Sequence, residues 1–373
     1  MIDLINGLSD LGVESLVLYP DAGPIEGRLK VEKIRGKQIF FSSGVCWPSE
    51  KPLYHPRRWF SSSANALRTV KKKRINKLAL RETQSVLREF KPDCIVSNTA
   101  AVSYGSLIAA RHHIPHVWHI REYGDLDWDF SPDFGMKRRS KELNQSRRAI
   151  CISKAVAKHH IKQNPSVPIS KFITIYNGIG CKSEVLERFN PKPTRGDSLN
   201  IGIAGLIKPS KGQAVAVKAF AASKQSLPNL RMKLLVAGKG DTSELEALAK
   251  NLGVKDQVDF LGHLEYMDNF YKSLDIGLMC SENEGFGRVT AEYMSWGIPV
   301  IGRNSGATPE IVENNLTGLL YDNAEEFTEK MISLLESLEE RQRLGKNGRK
   351  KAIEYYSSER SAEAFLTAVK EAI

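Results

Sequence analysis

The chain has 373 residues, 41% of them hydrophobic and 26% charged, with a formal net charge of +11. That length predicts two or three domains rather than one small core, and the composition excludes a low-complexity or fibrous protein. No apolar run reaches the roughly 18 residues a membrane-crossing helix needs, and Cys46, Cys94, Cys151, Cys181 and Cys280 are scattered without a CxxC pair. An odd, unclustered set fits a reduced cytoplasm and argues against a disulfide framework or a zinc site.

The start, MIDLINGLSDLG, has an acid at position 3 and no signal-peptide core. Strand-like runs then alternate with helical patterns: ESLVLYP, KQIFFS, DCIVSN, HVWHI, AICIS and FITIYNG. Each is apolar enough for burial on both faces, as parallel strands require. Residues 190–200, NPKPTRGDSLN, carry two prolines, a glycine and mixed charge, and read as a linker. A second series follows: LNIGIAGL, MKLLVAG, QVDFLGH, DIGLMCS, IPVIG and GLLYD. Two such sets imply two doubly wound α/β domains, whose ligands bind beyond the carboxyl ends of the strands. The expected division is residues 1–189, a linker at 190–200 and residues 201–355. An amphipathic last helix over 356–373, reading as a complete end, is expected to close the first domain. Two sheets facing each other would place a substrate in a cleft between them.

Residues 51–81 contain ten basic residues and no acid. A solvated helix face is one reading. The other is a patch for an anionic membrane, with Arg57 and Arg58 beside Trp59 and then Lys71, Lys72, Lys73 and Arg74, cations joined to an interfacial aromatic. That would make the protein peripheral at the inner face of the plasma membrane. No nucleic-acid reading motif accompanies the charge, so a nucleic-acid partner is not expected.

Residues 282–300, ENEGFGRVTAEYMSWGIPV, raise the sharpest question. A helix is expected from about Gly287 to Gly297, because Pro299 cannot continue it. Its amino end favours a phosphate or diphosphate. Glu284 precedes the helix and Glu292 lies on its second turn, so the two cannot share a proton as a dyad. They can accept hydrogen bonds from hydroxyls at two places on one extended ligand, and a nucleotide-sugar has that layout. A dipole-complementing acid and an unrelated exposed glutamate fit the bare spacing as well.

The longer stretch SENEGFGRVTAEYMSWGIPVIGRNSGATPEIVENNLTGLLYD resembles the signature of the family-4 retaining glycosyltransferases of GT-B fold. The likeness extends to VDFLGHLEYMDNFYKSLDIGLMCS and IGIAGLIKPSKGQAVAVKAF, and in the first half to IPHVWHIREYGD, AICISKAV and ITIYNG. It implies a retaining transfer of a sugar from a nucleoside-diphosphate sugar, a UDP-sugar foremost, to a hydroxyl of a polysaccharide or lipid-linked acceptor. Neither a metal nor another cofactor is implied. A front-face route, in which the leaving phosphate takes the acceptor proton, is the expectation that comes with it.

By the same resemblance Glu284 contacts the donor sugar, Glu292 the ribose, and Lys211 the diphosphate. Gly285, Phe286, Gly287, Arg288 and Val289 form the donor loop, with Gly205, Lys208, Gly238, His263 and Leu264 in neighbouring loops. The family often has Arg directly after the glycine at position 205. Leu206 stands there, and Lys208 is the substitute, a point charge without the guanidinium fork. A solvated loop lysine is the alternative.

His119 matches the family's active-site histidine, against a packed core role. Arg121 and Glu122 fit acceptor or donor contacts, or an internal ion pair. Glu310 reads as a helix or loop support.

The family's first domain opens with a central strand and a glycine-rich loop, and the following helix resembles IDLINGLSDLG. The chain starts inside that helix, so a gap in the first core is expected. A truncated or misassigned start is the preferred explanation, with a rearranged domain or a degenerate relative as the others. Two further functions therefore stay open: a catalytically impaired nucleotide-sugar-binding or scaffold protein, and a GT-B-type nucleotide-sugar epimerase.

Overall fold

The computed structural model describes residues 1–46, 57–133, 135–188 and 198–373, and the side chains of residues 57–69 lie outside that description. Packing divides the chain into Met1–Tyr176 with Glu359–Ile373, and Asn177–Ser358. The division falls before the proline-bearing stretch, of which residues 190–197 are outside the described residues. Residues 177–188 join the second unit because its groups hold them. The Ile179 N–H donates to the Tyr356 carbonyl at 2.9 Å, and the Arg349 guanidinium donates to the carbonyls of Val185, Leu186 and Arg188.

In the first unit, β1 (Leu16–Tyr19) and β2 (Arg35–Gln38) form a parallel pair of their own. A short antiparallel pair joins β3 (Val45–Cys46) to β6 (Ser131–Pro132). Four parallel strands make the larger sheet, in the order β4 (Ile95–Ser97), β5 (His116–Ile120), β7 (Arg148–Cys151), β8 (Phe172–Thr174). Every residue of β5 is buried, His116 and His119 included.

Strand alternation sorts the core of this unit onto two faces. Val117 and Ile150 pack with Leu8 of helix Ile2–Asp10 and with Ala362, Phe365 and Ala368 of helix Ser358–Lys370. On the other side Leu18 and Ile95 flank Ile39, Phe41, Tyr104 and Ile108. Helices Arg57–Phe90 and Tyr104–His112 close that side through Ala79, Tyr104 and Ile108. The last helix thus closes the first unit, as its amphipathic pattern predicts.

The second unit is a single six-stranded parallel sheet. Its strands are β9 (Leu199–Ala204), β10 (Met232–Ala237), β11 (Val258–Gly262), β12 (Ile276–Met279), β13 (Val300–Arg303) and β14 (Gly318–Tyr321). Their order is β11-β10-β9-β12-β13-β14. The first strand is central: the chain winds outward to β11, then returns to the other side of β9. The chain therefore leaves β9 toward one side of the sheet and β12 toward the other, and such a switch point is where open α/β sheets bind ligands. Ile201, Ile203, Phe220, Leu234, Val236, Ile276, Leu278, Ile301 and Phe327 belong to one continuous buried cluster.

All twelve strand-like runs overlap a strand. KQIFFS is displaced, since β2 ends at Gln38 and Ile39 and Phe41 leave it to fill the core. The β3–β6 pair was not anticipated, because two-residue strands carry no periodicity.

Candidate functional site

The site is built from β12, the loop after it, and helix Arg288–Ser295. Thr290, Ala291, Tyr293, Met294 and Ser295 are buried, which fixes the helix on the sheet and leaves Arg288 and Glu292 on its outer side. The Tyr293 ring lies over Gly277, where a Cβ would stand 2.6 Å away, and its hydroxyl donates to the Gly202 carbonyl at 3.2 Å. The helix stops as predicted: the Gly297 N–H donates to Met294 and the Ile298 N–H to Tyr293, before Pro299.

No side chain caps its amino end, where Gly287 stands. The first amides of a helix have no partner within it, and helix starts of this kind favour an anion. The Thr290 hydroxyl, fully buried in the first turn, has no hydrogen-bond partner. Phe286 turns inward and meets the Tyr356 ring at 5.8 Å, which anchors the loop.

Two residues 73 positions apart in the chain are joined here. Lys211, on the short turn Pro209–Lys211 after β9, donates from Nζ to Glu284 Oε2 at 2.7 Å. The pair is partly exposed, at 32% and 16% of the two side chains. It therefore sits at the switch point between β9 and β12. Glu284 is braced from a second loop: its carbonyl accepts the Ala307 N–H at 2.9 Å. Gly306 lies so close that a Cβ would come within 2.8 Å of the Glu284 nitrogen, and its φ of +58° also favours glycine.

Glu292 is held at both oxygens. The Tyr271 hydroxyl donates to Oε2 at 2.6 Å, and Arg288 Nε to Oε1 at 2.8 Å. Tyr271 comes from helix Asp268–Ser273, ahead of β12, and is 4% exposed. Burial, then the Glu292 charge, push its phenol far above the ordinary value, so it stays a donor. A carboxylate oxygen has two lone pairs, so one donor on each leaves Glu292 two acceptor positions.

The remaining donor-side residues meet at the ends of β9, β10 and β11. The Gly205 N–H donates to Ala237, and the Gly238 N–H to the Gly262 carbonyl at 2.7 Å. A Cβ at Gly238 would collide with the Gly205 carbonyl, so this approach requires glycine. Exposed His263 and half-buried Leu264 follow directly on β11, and exposed Lys208 precedes the turn that carries Lys211.

The three residues predicted from the first half lie in the first unit. His119 is 3% exposed, its ring 5.2 Å from Phe365, and its Nδ1 has no hydrogen-bond partner. Burial, then the nearby Arg121 charge, hold it well below the ordinary histidine range, so its imidazole is neutral. Glu122 is 7% exposed and is occupied by the loop after β4: it accepts from the Thr99 hydroxyl and from the Ala100 N–H at 2.7 Å. Burial raises its pKa despite those donors. Here Glu122 ties two loops together. Arg121 Nη1 lies 3.5 Å from Asn98 Oδ1.

The basic cluster divides. Arg57, Arg58 and Trp59 have side chains outside the described residues. Lys72 departs from the expected outward patch, because it donates to the Val45 carbonyl at 2.5 Å and pairs with Asp133 at 3.0 Å. Lys71, Lys73 and Arg74 are exposed. Among the described residues no helix is long and apolar enough to cross a membrane.

A doubly wound unit with a cation and an uncapped helix end at its switch point defines a class of anion-binding α/β proteins. The comparisons narrow it. Residues 186–351 match Glycosyl transferases group 1, and residues 1–182 match Glycosyltransferase Family 4. The chain belongs to this family of GT-B glycosyltransferases.

It is 30% identical over 174 residues to the N-acetyl-alpha-D-glucosaminyl L-malate synthase of Bacillus anthracis, covering 46% of this chain and 45% of that protein. To the D-inositol 3-phosphate glycosyltransferase of Saccharomonospora viridis it is 31% identical over 209 residues, covering 50% and 48%. The alignments thus span about half the length of these curated relatives. In fold it is similar to Anabaena Alr3699/HepE, solved in complex with UDP and glucose. The TM-score is 0.75 at 17% identity, over 99% of this chain and 94% of that one.

Proposed function

We propose that the protein transfers a sugar from a nucleoside-diphosphate sugar, a UDP-sugar, to a hydroxyl of a polysaccharide or lipid-linked acceptor, with retention of anomeric configuration. The observation that carries this reading is the Lys211–Glu284 pair, 2.7 Å apart, in the unit that also holds the uncapped helix end. A diphosphate at that end meets the helix amides and the Lys211 cation, which stabilises the charge growing on the leaving group without a metal ion. Glu284 then accepts from sugar hydroxyls and Glu292 from the ribose. The UDP in the Anabaena complex supports the choice of base.

The acceptor side is proposed to work at an anionic membrane surface. On helix Arg57–Phe90, Val70 and Leu78 are 50% and 62% exposed, on the same side as exposed Arg74, Lys77 and Arg81. Apolar groups among cations suit a headgroup layer.

The test is a thermal-shift series with UDP-, GDP- and ADP-sugars, followed by product analysis in the presence of EDTA. A ligand that binds only the native state raises its apparent stability. UDP-sugars are expected to raise the melting temperature, Glu292→Ala to abolish the shift, and the product to keep the donor's anomeric configuration. A shift with none of the three donors overturns the proposal. The divided sheets of the first unit favour a second reading, a binding protein without turnover. A melting shift with neither donor hydrolysis nor transfer supports that reading instead.

A further inference from the structure

Glu292 is the residue on which the ribose reading depends, and its carboxylate does not stand alone. Its two internal donors differ in kind. Arg288 is on the same helix, one turn away, with 47% of its side chain exposed. Pairs of that sort are weak and yield to water and salt. Tyr271 comes from a different helix and is 4% exposed. Its ring packs at 5.7 Å from Phe270, 5.7 Å from Tyr293 and 6.1 Å from Trp296. Lys272 Nζ in turn lies 5.5 Å from the Trp296 ring centroid. The phenol is therefore fixed by packing on three aromatic neighbours before it reaches the carboxylate.

A phenol hydroxyl has one proton, so at the 2.6 Å contact Tyr271 can only donate to the carboxylate, and it does so to Oε2. That selects one rotation of the Glu292 carboxyl group. The second lone pair of each oxygen is left with a defined direction. A ribose presents neighbouring hydroxyls as a pair of donors in fixed geometry, and a carboxylate locked in rotation recognises such a pair better than one that turns freely.

We propose that Tyr271 is a positioning residue for nucleotide recognition: it orients the Glu292 carboxylate toward the ribose hydroxyls, and so sets the preference for a ribonucleotide over a deoxyribonucleotide. This rests on the reading of Glu292 as the ribose contact. A helix-to-helix tie that serves stability alone would leave hydroxyl discrimination untouched, which separates the two roles.

The experiment measures binding of UDP and of 2′-deoxy-UDP by calorimetry to the wild type, Tyr271→Phe, Arg288→Gln and Glu292→Ala. A hydrogen bond to a charged group corresponds to about tenfold in affinity or more. The wild type is expected to prefer UDP about tenfold. Tyr271→Phe keeps the ring packing and is expected to reduce that preference to about threefold or less. Arg288→Gln is expected to weaken both ligands together and keep most of the preference, and Glu292→Ala to lose it.

An undiminished preference in Tyr271→Phe overturns the inference while leaving the ribose reading intact. Full loss of preference in Arg288→Gln also overturns it, and that arm decides the matter if Tyr271→Phe does not fold. A wild type that binds both ligands equally well strikes the ribose assignment of Glu292 itself, before Tyr271 is varied.

Discussion

The two units solve the same architectural problem differently. In the second, β9 is the first strand and lies at the centre, so six strands form one sheet and the loops at its switch point meet. In the first, β1 and β4 pack against one shared cluster, yet the former pairs only with β2 and the latter only with β5. The place that β9 fills in the second unit has no counterpart strand among the described residues of the first. β1 is half-buried, and Val96 on β4 is 39% exposed. What the contrast teaches is that a central strand does two jobs. It completes the hydrogen bonding of its neighbours, and it supplies the loop that faces the ligand. The second unit has such a strand and carries the Lys211–Glu284 pair beside it; the described residues of the first keep their buried histidines on smaller, separate sheets.

The strongest way to break this contrast is at the switch point. Lys211→Ala is expected to lower the rate of sugar transfer by roughly 10²–10³, the scale for removing one group that stabilises transition-state charge. Its pair is partly exposed, so unfolding free energy is expected to change by no more than about 1 kcal/mol. Steady-state kinetics and urea unfolding read the two quantities, and an unaltered rate removes Lys211 from the chemistry.

The next test addresses the first unit through pH. Burial holds His116 and His160 at about 4 in the folded protein, against an ordinary value near 6.5. Below 6.5 the unfolded chain binds protons that the folded chain refuses, so the stability they support is complete above that value and lost as pH falls toward 4. By pH 5 each is expected to cost on the order of 2 kcal/mol. Glu122, raised by burial, acts in the opposite direction, because its folded form takes up a proton more readily than its unfolded form. The melting temperature is expected to fall between pH 7 and pH 5, and His116→Gln to flatten that slope. A flat profile in the parent protein contradicts the buried, neutral state of these rings.

The smallest effect sharpens the division of labour. Charge reversal at Arg74, Lys77 and Arg81 is expected to reduce flotation with vesicles of mixed phosphatidylglycerol and phosphatidylcholine, at roughly 1 kcal/mol per cation. UDP binding, which the proposed function places in the second unit, is expected to stay unchanged. Equal flotation of the variant would leave the stripe as an ordinary solvated face.

Legibility differed along the chain for physical reasons. DIGLMCS and HVWHI announce buried strands because each is a short, mostly apolar run, and they contain β12 and β5. The helix ending at Gly297 was readable from its glycine and the proline beyond it. Lys211 and Glu284 were singled out separately, but no local pattern joins residues 73 apart. Tyr271 went unread, since a tyrosine before a strand looks like any core aromatic. Lys72 reads with its neighbours as part of an outward membrane patch or a solvated helix face, because sequence does not say which side of a helix a buried acid such as Asp133 will face.

The sequence by itself determined the alternation of strand and helix, the anion-favouring helix start and the family resemblance, since each rests on local periodicity or on short contiguous motifs. Only the tertiary structure decided that Glu284 is paired, that Glu292 is oriented by Tyr271, that Glu122 is consumed by a loop, and that the strands of the first unit form separate sheets. Those outcomes depend on which distant groups share a lone pair or a strand edge, and chain order does not specify such partners.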